Sequence, residues 1–260
     1  MKNQLLIDKT AVVFGAGGTL GKQVAKAFIE HGARVFISDI NTALMSGIHG
    51  AEGVDKVDAL SEAEVGEYLK GIAAKGIHID ISINLSGSDP EEYNHGRPAM
   101  EVSLEQLLIP MKTATGTQFV TAKAGFKHMY ANNGGVIIFI TSTLSKISPP
   151  FTTALTVSHA GTEALVRTLA NEWGPGGVRV IGIRSEAMTE SPTINYTFAA
   201  TGANVGLSRE EMQLSVEEQV PLRRLTSGME TAEVAVLAAS DLAGFMTGAI
   251  LNHSGGHVLD

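Results

Sequence analysis

Short apolar runs of strand length alternate along this chain with longer stretches whose apolar residues recur every three to four positions. That alternation predicts parallel strands joined by crossover helices. The strands are expected at 10–14, 33–38, 54–57, 79–84, 136–141, 178–184 and 248–252, which gives one α/β domain over 1–260. Its sheet is doubly wound, with about seven parallel strands and helices on both faces. Helix punctuation agrees: Ser61-x-x-Glu64 and Ser103-x-x-Gln106 have capping-box spacing, and Gly32, Gly76 and Gly134 stand where helices should stop. Pro110 would interrupt a helix from 103 to 131, so a short helix is expected before a long one that starts at Pro110. The stretch 186–215 has no strong period and contains Pro192, Gly202 and Gly206, which predicts a mobile lid over a substrate site.

Composition narrows the partners. With 260 residues and 44% hydrophobic content, the chain can bury the core of such a domain. A formal charge of −8, with no block of like charges, gives no footprint for nucleic acid or an anionic membrane. Small molecules and further copies of the chain are the expected partners. The absence of cysteine excludes disulfides and thiolate metal sites, and the scattered histidines give no metal-ligand spacing. Met1-Lys2-Asn3-Gln4 leads into no apolar segment of signal-peptide or membrane-span length, which points to the cytoplasm.

The first strand runs into Gly15-Ala16-Gly17-Gly18-Thr19-Leu20-Gly21 and then a helix from about Lys22 to Glu30. Missing side chains let backbone N–H groups approach a pyrophosphate, and a helix N-terminus adds partial positive charge. The second strand ends in Asp39, at the distance for a carboxylate that accepts hydrogen bonds from an adenosine ribose. A carboxylate there repels a 2′-phosphate, and no Lys or Arg directly follows it, which favours NAD(H) over NADP(H). The competing reading of Asp39 is a solvated cap of the next helix.

These residues, in this order, resemble the short-chain dehydrogenase/reductase family, with its Rossmann-type sheet, over nearly the whole chain. Asp58 follows the third strand where the family places an Asp near the adenine, and Asn84-Leu85-Ser86-Gly87 resembles its Asn-Asn-Ala-Gly signature. Ile137 to Ser142 resembles the strand that ends in the family's active-site Ser, and Pro221 to Gly256 resembles its C-terminal region. The resemblance implies cofactor contacts from Gly15, Gly18, Leu20, Gly21, Asp39, Asp58, Asn84, Ser86, Gly87 and His159. It also implies a homotetramer that pairs the helices at 110–131 and 155–171 with their copies. Two departures stand in the glycine turn: the family's middle Gly falls at Thr19, and Phe14 replaces a usual Thr.

The resemblance further implies a Tyr acid, a Lys four residues later, a Ser thirteen residues earlier and an Asn on the preceding helix. Here those positions hold Leu155, His159, Ser142 and Thr113, and Ser185-Glu186 replaces a Pro-Gly. Leu155 has no exchangeable proton. His159 titrates near neutrality in its ordinary state and can bond ribose hydroxyls, so Ser142 and His159 are the candidate catalytic residues; a packed or surface His is the competing reading. Tyr196 could swing in from the lid, whereas Tyr68, Tyr93 and Tyr130 lie in segments expected to point elsewhere. Lys112 and Lys146 read as solvated, and Trp173 as a packing anchor. Three functions stay open: an NAD(H)-dependent oxidoreductase acting on a carbonyl, imine or conjugated alkene; a nucleotide-binding sensing or partner subunit; and a non-redox lyase or isomerase.

Overall fold

The computed structural model describes residues 4–132 and 134–259. Seven strands form one parallel sheet: β1 (Thr10–Phe14), β2 (Arg34–Asp39), β3 (Gly53–Lys56), β4 (Ile81–Asn84), β5 (Gly135–Ser142), β6 (Val178–Ser185) and β7 (Ile250–His253). Their order is β3-β2-β1-β4-β5-β6-β7, so the winding reverses between β1 and β4. Each strand falls within a residue or two of the run that predicted it, and in β1, β4 and β6 the reason is that apolar runs buried on both faces leave little ambiguity of length.

Alternate residues of β1 show how the two layers are filled. Ala11 and Val13 face a core with Val24 and Phe28 of α1 (Thr19–Glu30) and Val236 of α8 (Gly228–Ala239). Val12 and Phe14 face the opposite core, with Val65 and Leu69 of α2 (Glu62–Ala73), Met129 of α4 (Thr117–Tyr130) and Val166 and Trp173 of α5 (Thr153–Trp173). Trp173 is buried and stacks on Phe126 at 4.6 Å between ring centroids, which makes it the expected anchor. Gly32, Gly76 and Gly134 all adopt positive φ, as helix stops require. Ser103–Gln106 forms a full capping box before α3 (Leu104–Pro110). At Ser61 only half of the box forms, because Glu64 Oε2 accepts from the Asp58 N–H at 2.9 Å instead.

Two expectations about local structure are corrected. Pro110 does not separate two helices: helical backbone continues from α3 through a π turn, Met111–Gly116, into α4. Hydroxyls also bond carbonyls of this stretch, with Thr113 Oγ1 donating to Ile109 O and Ser158 Oγ donating to Pro110 O, each at 2.9 Å. The 186–215 stretch is also not irregular. It holds α6 (Pro192–Val205) and the start of α7 (Arg209–Gln219). Pro192 sits in the first turn of α6 and Gly206 ends it in the left-handed conformation, so two of the residues read as loop signals are helix punctuation.

Candidate active site

The C-terminal ends of β1, β2 and β4 meet where the strand order reverses, the usual crevice for a ligand in an open parallel sheet. Three glycines there are required by packing. A Cβ on Gly15, at φ +67°, would lie 2.4 Å from Ser86 N; one on Gly21 would lie 2.3 Å from Gly15 O; one on Gly17 would meet Asp39 Oδ2 at 2.9 Å. Gly18 and Gly87 differ, since a Cβ on Gly18 has only Gly15 O within 4 Å, at 3.6 Å, and one on Gly87 has nothing. Both therefore face open space that a side chain would enter. Helix α1 begins at this spot with no side-chain cap, so its first-turn N–H groups are left for an anionic ligand. Leu20 buries its side chain in the core and offers only backbone.

Two backbone donors fix the orientation of the Asp39 carboxylate. Its Oδ2 accepts from Gly17 N–H and its Oδ1 from Asn41 N–H, both at 2.9 Å. Asp58, after β3, accepts from Leu60 N–H at 2.9 Å and stays partly exposed. Asn84 is consumed internally, with its side chain donating to Thr121 Oγ1 at 3.2 Å and accepting from Ser86 N–H at 2.8 Å. It acts on the crevice by fixing the Ser86–Gly87 turn.

The other half of the edge is built from β5, β6 and α5. Ser142 ends β5 and accepts from Leu144 N–H at 3.3 Å, while its own O–H has no acceptor among the described residues. On α5, Leu155 and His159 lie one helical turn apart on one face, with Glu163 a further turn along. Burial pulls the His159 imidazole down to about 4, against the opposing charge of Glu163. The expected titration near neutrality is therefore corrected: His159 is a neutral ring at pH 7. Thr113 lies in the π turn with its hydroxyl against Ser88 Oγ. Lys112 and Lys146 are exposed.

Several residues here escaped the sequence reading. Glu163 and Arg184 form a buried bidentate pair at 2.8 and 3.0 Å, and Ser145 Oγ donates to Glu163 Oε1 at 2.5 Å. Glu186 is buried beside Thr143 and His257. Tyr93, expected to point elsewhere, is buried in the loop after β4 at this same end, edge-on to His95 at 5.9 Å. Burial pushes its phenol up, with Asp89 and Tyr196 adding to the shift. Its loop is tied to α6, where His95 Nε2 lies 3.3 Å from Thr201 Oγ1 and Asn204 donates to Gly96 O. Among the described residues no cluster of His, Asp or Glu could hold a metal ion, and no helix is long and apolar enough to cross a membrane.

A family model described as enoyl-(acyl carrier protein) reductase matches residues 15–257. The chain belongs to the short-chain dehydrogenase/reductase family. Family members are oxidoreductases, and this one is similar over 98% of its length to D-threitol dehydrogenase of Mycolicibacterium smegmatis, at 29% identity and with 94% of that protein covered. It is also similar to a solved family structure, 7α-hydroxysteroid dehydrogenase complexed with NADH and 7-oxo glycochenodeoxycholic acid. That likeness has a TM-score of 0.80 at 26% identity and covers 99% of this chain and 97% of the other. Sorbitol-6-phosphate 2-dehydrogenase from Erwinia amylovora shares the short-chain dehydrogenase/reductase fold, with a TM-score of 0.88 at 22% identity over 96% of this chain and all of that one.

Proposed function

We propose that the chain is an NAD(H)-dependent oxidoreductase whose proton step does not use the family's tyrosine. The observation that carries the cofactor assignment is Asp39, whose carboxylate is fixed by two backbone N–H groups at 2.9 Å beside the open face at Gly18. Such a carboxylate accepts from both ribose hydroxyls and repels a 2′-phosphate. First-turn N–H groups of α1 would hold the pyrophosphate, and Asp58 and the Ser86–Gly87 turn would flank the adenosine. The bound nicotinamide supplies or accepts a hydride. Ser142 bonds the substrate's polar atom, donating to the carbonyl oxygen of a conjugated alkene or accepting from an iminium N–H, and neutral His159 bonds a ribose hydroxyl without the charge of a lysine. With Leu155 in the tyrosine's place, the substrates that fit are small molecules that need no protein acid at that point: a conjugated alkene or an already protonated imine, with water bringing any proton.

Exposed Leu104, Leu108, Met111, Phe119 and Val157 on α3 to α5, and Leu242, Phe245 and Met246 near the C-terminus, support a homotetramer. Absent cysteine and moderate acidity suit the cytoplasm. Leu155 and His159 also sustain a second reading, a nucleotide-binding partner or sensing subunit without turnover.

Calorimetry with NADH and NADPH tests the cofactor. Asp39→Ala should weaken NADH by about 1.5–3 kcal/mol, roughly 10- to 100-fold. Equal binding of NADPH by the wild type overturns the assignment. A panel of imines, enones and ketones with NADH then separates the readings: turnover supports the oxidoreductase, binding without turnover the partner subunit, and conversion without loss of NADH absorbance a lyase or isomerase.

A further inference from the structure

Ser142 leads into a short 3₁₀ turn, Thr143–Ser145, before the chain loops to α5. Two hydroxyls of that turn are each held by a buried carboxylate. Thr143 Oγ1 donates to Glu186 Oε1 at 3.3 Å, and Ser145 Oγ donates to Glu163 Oε1 at 2.5 Å. Each carboxylate has its own cationic or imidazole partner, Arg184 at 2.8 Å for Glu163 and His257 at 2.7 Å for Glu186. Glu186 Oε1 also accepts from Ala187 N–H at 2.9 Å, which fixes the end of β6. The two anchors come from opposite sides, α5 and the β6 terminus, and in the sheet register Ser142 stands opposite Ser185, next to Glu186.

A short turn could be held by backbone bonds alone, yet here the fold buries two carboxylates to hold it. Burial of a carboxylate costs several kcal/mol unless it is paired and fully bonded. The result is that Ser142 Oγ receives the Leu144 N–H while its own hydrogen is left to donate. We propose that Glu163 and Glu186 are positioning residues which, through Ser145 and Thr143, fix the turn that orients the Ser142 hydroxyl toward a substrate oxygen or nitrogen. This rests on the reading of Ser142 as the group that meets the substrate.

Hydrogen exchange of the Leu144 amide tests it in the whole protein. Glu163→Gln removes one charge of the buried pair with Arg184 and can cost the fold, so Ser145→Ala and Thr143→Val are the working variants; both keep that pair intact. Each should speed Leu144 exchange about tenfold, and the double variant up to about 100-fold, the scale for lost hydrogen bonds to charged groups. Amides of β1 and α1 should keep their protection. A purely structural pair would instead lower the melting temperature and loosen both regions together, and that result, or unchanged Leu144 exchange in the double variant, overturns the proposal. NADH binding measured on the same samples reports on the cofactor reading alone, since a wild type that fails to bind NADH still gives the exchange result.

Discussion

At the β1–β2 end of the sheet edge, glycine and an uncapped helix leave backbone donors open, with one carboxylate held in place beside them. At the β5–β6 end the same edge is closed by side chains, in buried contacts that link Glu163 with Arg184 and Ser145, and Glu186 with Thr143 and His257. Backbone donors exposed by glycine tolerate little change, since a Cβ at Gly15 or Gly21 meets backbone. Side-chain networks can be rebuilt around a different substrate, and Leu155 and His159, which we propose stand in the places of the family's Tyr and Lys, lie in that half.

The largest effect should come from unbalancing the closed half. Glu163 and Arg184 are 4% and 2% exposed, so Glu163→Gln removes one charge of a buried pair and should cost about 3–5 kcal/mol. Urea unfolding measures it, and a loss under about 1 kcal/mol would show that solvent reaches the pair.

Next is the chemistry. Simple ketones and secondary alcohols need a proton donor or acceptor within hydrogen-bond reach of the oxygen, and on the proposed reading Leu155 leaves that place apolar. Wild-type turnover of them with NAD(H) should be negligible. Leu155→Tyr combined with His159→Lys should raise it, by up to the roughly 10²–10⁴-fold that acid–base assistance supplies. Tyrosine alone should do less, because nothing would lower its pKa. Brisk wild-type ketone reduction would mean another donor works here, with Tyr196 first to test.

The open half can be split by two alanines. Gly21→Ala places Cβ 2.3 Å from Gly15 O and should cost about 1–3 kcal/mol of stability through overpacking. Gly18→Ala has room in the protein and should leave the melting temperature unchanged while weakening NADH. If both variants lose stability equally, the open face at Gly18 is not ligand space.

What the sequence revealed follows the same division. Strands, the glycine turn and Asp39 were legible because each depends on local pattern or on a residue type that few backbone geometries tolerate. Glu163, Arg184, Glu186 and His257 were not, since their partners lie 18 to 71 positions away and only the sheet register joins them. Pro110 misled because the helical backbone runs on through it into a π turn, and a contact that holds this stretch comes from Ser158, 48 residues on. In α6, Pro192 and Gly206 were read for what they prevent, when at helix ends they permit.

The smallest effect expected is an acid sensitivity shared between the halves' borders. Burial pulls His95 down to about 4, and burial opposed by Glu163 does the same to His159, each from an ordinary 6.5. Both rings are therefore neutral when folded, and the unfolded chain takes up their protons as pH falls below about 6.5. Stability is full above that pH and is lost as pH drops toward 4, by about 1 kcal/mol per ring at pH 6. Glu163 and Glu230 do not explain a loss between pH 6.5 and 5. Salt-bridged Glu163 and Glu230 are held below their ordinary 4.5, so their contribution persists until the pH falls beneath it. Urea midpoints at pH 7.5, 6 and 5 should fall for the wild type, and less steeply for His95→Gln and His159→Gln once each variant is referred to its own value at pH 7.5. A wild-type profile that is flat from pH 7.5 to 5 would mean that both rings already reach solvent, and His159 would then be able to carry a proton at the site.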